Sequence, residues 1–194
     1  MSIMVVLTTG GTVKKIVVVS GALKWAAIAF IVIMPILEAG YWITNGYPFL
    51  APFLHISSLP AFGDIPIGWA DLTEVQKLLG FIANLLPLFF SMAALGYLAR
   101  LFSAYEHLRL FERKNADLLK KTGGLIVLGQ VAHLFYTACI SLVLTCRNPV
   151  GHRNISISIG LHELEMLAIG IVVLLVSWIY AEAIKMHEEQ EATV

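Results

Sequence analysis

Between Lys77 and Arg100 the chain runs from Leu78 to Ala99 without a charged residue, and between Lys121 and Arg147 it runs from Thr122 to Cys146 with only Gln130 and His133 as large polar groups. A bilayer core of about 30 Å is crossed by roughly 20 apolar helical residues. Backbone polar groups in lipid must be satisfied within the segment, so such stretches read as helices. Two other stretches are apolar but interrupted. Lys24 and Glu38 break 16–43 and leave only Trp25–Leu37 uncharged, while 157–181 carries His162, Glu163 and Glu165 early and is uncharged from Met166. Composition agrees, with 58% hydrophobic and 13% charged residues and a mean hydropathy of +0.82. A soluble domain has about 45–50% apolar and about 25% charged residues, so a disordered chain is excluded and a soluble fold disfavoured. The 13 Lys+Arg cancel the 13 Asp+Glu, and no direct nucleic-acid binding is expected.

The pattern predicts an all-α, polytopic integral membrane protein, a single domain over 1–194 with four transmembrane helices in a bundle. The expected spans are about 16–43, 76–99, 122–146 and 157–181. A signal peptide is the alternative for the N-terminus, because Lys14 and Lys15 precede an apolar run, but Lys24 breaks that run and no small-x-small cleavage site follows. Lys and Arg in short loops stay cytoplasmic. Lys14, Lys15, Arg100, Arg109, Arg113, Lys114, Lys120 and Lys121 fall on one side, against Arg147 and Arg153 on the other, so both termini are expected in the cytoplasm. The expected location is the bacterial inner (plasma) membrane, with the lipid bilayer as first partner.

The first loop, 44–75, is expected to lie outside the cytoplasm on the membrane surface, since Pro48, Pro52, Pro60 and Pro66 prevent a continuous helix. Tyr41, Trp42 and Trp69 suit an interfacial aromatic belt. Asp71 and Glu74 resemble a cap for the second helix. In the cytoplasmic connector, 100–121, Leu101, Tyr105, Leu108 and Phe111 are spaced as one apolar helical face, which suggests a helix along the inner surface, broken near Asn115.

Ionisable groups inside a membrane are costly and each is a functional hypothesis. Glu38, His162 and Glu165 are expected near one level at the outer boundary, with His162 and Glu165 on one helical face. They form a candidate intramembrane polar cluster: a satisfied structural group, a proton or ligand site, or a metal site lacking any motif spacing. His133 is a candidate helix-packing residue. A bis-histidine haem would need a partner at its depth, and His162 lies roughly 10 Å away along the axis, so no cofactor is expected. Cys139 and Cys146 are also roughly 10 Å apart on one helix, too far for an internal disulfide, although Cys146 lies near the outer face and could pair between chains. Asn154-Ile155-Ser156 fits a glycosylation acceptor, meaningful only in a eukaryotic secretory pathway. Gly123, Gly124 and Gly129 thin the third helix and permit close packing. No phosphate loop, nucleophile elbow, zinc-protease helix or paired-carboxylate motif is present, and no catalytic residues are assigned.

Two stretches carry a family resemblance. They are Tyr97-Leu98-Ala99-Arg100-Leu101-Phe102, followed by Leu110-Phe111-Glu112, Asn115 and Gly123, and a C-terminal pair of runs, Tyr180-Ala181-Glu182 and Met186 to Val194. Together they resemble the bacterial membrane family catalogued as domain of unknown function 2975, with Ala192 where that family usually has Leu. The resemblance implies a four-span inner-membrane protein, no known activity, and genes that neighbour small helix-turn-helix regulators, a pointer to signalling.

Read physically, the acidic tail 182–194 can reach the basic connector on the same face, which makes Arg109, Arg113, Lys114, Glu188 and Glu189 candidate cytoplasmic contacts. The leading expectation is a non-enzymatic membrane protein that binds a cytoplasmic protein partner through connector and tail. A homo-oligomer is a second form of partnership. The alternatives are a small transporter or proton-conducting oligomer using Glu38, His162 and Glu165, and a membrane enzyme or cofactor carrier.

Overall fold

The computed structural model of the chain describes residues 2–46, 69–149, 153, 155–157 and 159–191. The Pro-rich part of the first loop, the Asn154 acceptor and the last three residues lie outside them. The described residues form four helices: α1 (Ser2–Ile43), α2 (Glu74–Glu106), α3 (Arg113–Thr145) and α4 (Leu161–Glu191), with a 3-10 turn at Trp69–Asp71 before α2. No strand occurs among the described residues.

Each helix is long and apolar enough to cross a membrane, over Val13–Ile43, Glu74–Glu106, Arg113–Thr145 and Leu161–Gln190. Large apolar side chains face outward, among them Trp25 (65% exposed), Phe89 (62%) and Trp178 (61%). So much outward apolar surface is stable only against lipid or another apolar partner. Pro35 and Pro87 lie inside α1 and α2, as membrane helices tolerate.

The helices outrun the uncharged intervals. At about 1.5 Å per residue, the 33 residues of α2 or α3 exceed a core of about 30 Å, so polar ends project past it or the helix tilts. The expected surface-lying connector helix is absent as a result: α2 continues to Glu106 and α3 starts at Arg113. Leu101 is 3% exposed whereas Phe111 is 61% exposed, so the four apolar residues share no face. The turn between them closes on Leu108, at φ 60°, with Arg109 N–H donating to the Ala104 carbonyl at 3.0 Å. Asn115 does not break the connector; it lies in the first turn of α3 and is fully buried.

The start of the fourth helix also differs from expectation, at Leu161 instead of about 157. Before it Ile155, Ile157 and Ile159 are exposed, while the Ser156 N–H donates to Ser141 Oγ at 3.0 Å.

The helices divide into two compact units. The first comprises α1 up to Ile31, α2 from Ser91, α3 up to Val127 and α4 from Glu165. Here α3 and α4 meet through glycine: a Cβ on Gly123 would lie 3.0 Å from Leu174 N and 3.1 Å from the Gly170 carbonyl. The second unit contains α1 from Val32, the 3-10 turn, α2 up to Phe90, and α3 from Leu128 to the opening turn of α4 at Leu164. Its core is Trp42, Leu72, Ile140 and Leu144, with Tyr41, Trp69, Phe81 and Tyr136 packed around it. Trp42 is therefore a core residue, only 4% exposed, and not part of an interfacial belt. Gly80 makes room for its indole, and edge-on rings of Tyr41 and Trp69 sit 5.9 and 5.6 Å from it.

Candidate functional site

In the first unit, charges from distant parts of the sequence meet in pairs. The Lys24 ammonium, which interrupts the apolar stretch of α1, donates to Glu106 Oε2 at the end of α2, at 2.5 Å. Both side chains are mostly covered, so the pair removes the isolated charge that α1 would otherwise present. Arg113, first in α3, donates from Nε to both carboxylate oxygens of Glu188, at 3.1 and 2.9 Å, and its Nη2 also bonds Oε2. The Tyr180 hydroxyl donates to the Leu110 carbonyl, and Asn115 Nδ2 donates to the carbonyls of Arg109 and Leu110. Tyr180 and Asn115 thus hold the α2–α3 turn from two sides, while Arg113 ties α3 to the end of α4.

Arg109 stands 3.9 Å from Glu112; Arg109 is exposed and Glu112 half-buried. Lys114 is exposed at the start of α3 and Glu189 is exposed near the end of α4. Of the five candidate contacts, the structure brings Arg113 and Glu188 together. Beside the turn lies a cavity of about 590 Å³, whose wall includes Tyr97, Arg100, Arg109, Lys114, Asn115 and Lys121.

In the second unit, Glu38 Oε1 accepts from Trp42 Nε1 at 3.0 Å, one helical turn on, at the edge of the aromatic core. His133 Nδ1 lies 3.7 Å from Glu163 Oε1, and its ring packs on Tyr136 at 5.6 Å. Nδ1 is buried without a hydrogen bond. Glu163 also closes the start of α4, where its Oε2 accepts from the Gly160 N–H at 2.8 Å as the third residue of a capping box would. His162 lies on an exposed part of α4, and Glu165, which belongs to the first unit, is exposed there. Among the described residues, no three His, Cys, Asp or Glu side chains gather as a metal site requires.

Three features are not anticipated by the sequence pattern as read above. The cap of α2 is Thr73 with Gln76, not Asp71 with Glu74: Thr73 N–H donates to Gln76 Oε1 at 3.1 Å and Gln76 N–H to Thr73 Oγ1 at 3.4 Å. That is a Thr-x-x-Gln capping box legible in the sequence. Its buried Gln76 also donates to the Val143 carbonyl of α3 at 3.0 Å. The partner of Lys24 and the pairing of His133 with Glu163 carry no local signal.

Four long apolar helices with outward-facing apolar side chains define an all-α multi-pass membrane protein. The chain belongs to the family described as Protein of unknown function (DUF2975), whose model matches residues 47–194. No curated protein and no solved structure matches the chain.

Proposed function

We propose that the protein is a non-enzymatic, multi-pass protein of the bacterial inner membrane, with both termini in the cytoplasm, that binds a cytoplasmic protein through the 107–112 turn, the start of α3 and the end of α4. The observation that carries the reading is the Arg113–Glu188 pair, which joins the basic start of α3 to the acidic end of α4. Both side chains are substantially exposed. Exposed pairs are screened by salt and add little stability, so a partner's charges can replace either member. The test is photo-crosslinking in cells from a reactive residue at Glu189. A specific adduct should weaken in Arg113→Glu and stay weak in Arg113→Glu/Glu188→Arg, which re-forms the internal pair but reverses both charges that the partner meets. An adduct indifferent to all three backgrounds would refute the reading.

The His133–Glu163 approach favours a second reading, a small transporter or proton-conducting oligomer in which Glu38, His162 and Glu165 take part. It requires pH-driven flux in liposomes that falls in Glu38→Gln and Glu163→Gln. Flux unchanged in both variants would dismiss it.

A further inference from the structure

The cavity beside the α2–α3 turn has an unbalanced charge that the partner reading does not use. Its wall contains Arg100, Arg109, Lys114 and Lys121 against Glu112 and Asp117. Arg109 is engaged by Glu112. Among the described residues, Arg100, Lys114 and Lys121 have no carboxylate within 4 Å. Two of these cations share a ring: Arg100 Cζ and Lys121 Nζ each lie 5.6 Å from the centre of Tyr97. A ring face attracts a cation without neutralising its charge, so an anion taken up at this wall would be drawn by both.

Arg100 directly follows the uncharged stretch of α2, and Lys121 directly precedes that of α3. Both therefore sit at the boundary of the hydrocarbon, the depth of phosphate groups. A guanidinium matches phosphate oxygens in a two-pronged geometry, and an ammonium adds a point charge. We propose that this cavity binds a phosphate-bearing anion through Arg100 and Lys121. Two sources share that chemistry, the headgroup of an anionic phospholipid and a soluble phosphate. The cavity shares the 107–112 turn and Lys114 with the proposed partner surface, but the inference rests on Arg100 and Lys121, which that reading does not use.

The test uses the full chain purified in detergent. Native mass spectrometry compares retention of dioleoylphosphatidylglycerol with that of dioleoylphosphatidylcholine, for wild type, Arg100→Gln/Lys121→Gln and the neighbouring Lys120→Gln, which lies outside the cavity. On wild-type protein, protection of Lys121 from an amine-reactive label is measured with each lipid and with inorganic phosphate, so the result does not depend on a variant folding. Preferential retention of the glycerol lipid, weakened about tenfold or more in the double variant and unchanged in Lys120→Gln, supports the site with lipid as its source. Protection of Lys121 by inorganic phosphate without lipid preference supports the site with a soluble source. Equal retention of both lipids without protection by phosphate, or equal weakening by Lys120→Gln, overturns the proposal.

Discussion

Two adjacent glycines on α3 should respond differently to the same added methyl group. A Cβ on Gly123 would lie 3.0 Å from Leu174 Cγ, 3.0 Å from Leu174 N and 3.1 Å from the Gly170 carbonyl. Two of those atoms are backbone, so relief requires α4 to move as a body. A Cβ on Gly124 would meet nothing within 4 Å. Alanine favours helix over glycine by about 1 kcal/mol in water. In dodecyl sulfate the unfolded state of a membrane helix keeps much of its helicity, so most of that gain cancels and packing sets the sign. Overfilling a close contact costs about 1–3 kcal/mol, whereas a change away from such contacts stays within about 0.5 kcal/mol. Gly123→Ala should therefore lower stability by about 1–3 kcal/mol. Gly124→Ala should leave it unchanged or slightly raised. The assay is unfolding by dodecyl sulfate in mixed micelles, followed by tryptophan fluorescence. Equal shifts for the two variants would refute glycine-mediated contact between α3 and α4.

Other variants probe the remaining contacts. Trp42→Ala empties the aromatic core of the second unit and should cost about 3–5 kcal/mol in the same titration. Gly80→Ala should also destabilise, since its Cβ would lie 2.2 Å from the Trp42 ring. Lys24→Glu and Glu106→Lys should each reduce the monodisperse fraction on size exclusion in detergent, and the double exchange should restore it. If the exchange is no better than either single variant, the pair does not form. Gln76→Ala removes the side-chain half of the α2 capping box and the bond to the Val143 carbonyl, and should lower stability by about 1–2 kcal/mol, read from the same unfolding curve.

α2 and α3 are legible in the sequence because freedom from charge over about twenty residues is readily explained only by a membrane, and α1 and α4 are legible as apolar stretches that one or two charges interrupt. Their ends are less legible, since nothing requires a helix to stop where the hydrocarbon stops. Taking Arg100 and Lys121 as boundaries makes 100–121 a separate segment, and it conceals Glu106, 82 residues from Lys24, as the end of a spanning helix. The need of Lys24 for a partner is visible in the sequence; the partner's identity is a matter of tertiary structure. The same holds for Glu163. Starting the last helix at 157 favours the face of His162 and Glu165, whereas a start at Leu161 makes Glu163 both the capping carboxylate and the neighbour of His133. Among the glycines, the close packing expected on α3 finds its contact at Gly123, with Gly170 of α4 as the unforeseen counterpart.

Everything proposed for the 107–112 turn depends on four helices crossing the membrane and returning the chain to the cytoplasm, with that basic turn on the cytoplasmic side. Single cysteines at Leu108 and Ile155, both exposed and both neutral exchanges, test this threading in a background where Cys139 and Cys146 are serine. With a membrane-impermeant maleimide, intact spheroplasts should label the cysteine at 155 and spare the one at 108, and inverted vesicles should reverse the pattern. Labelling of 108 in intact spheroplasts, or of both positions from the same side, would rule this topology out.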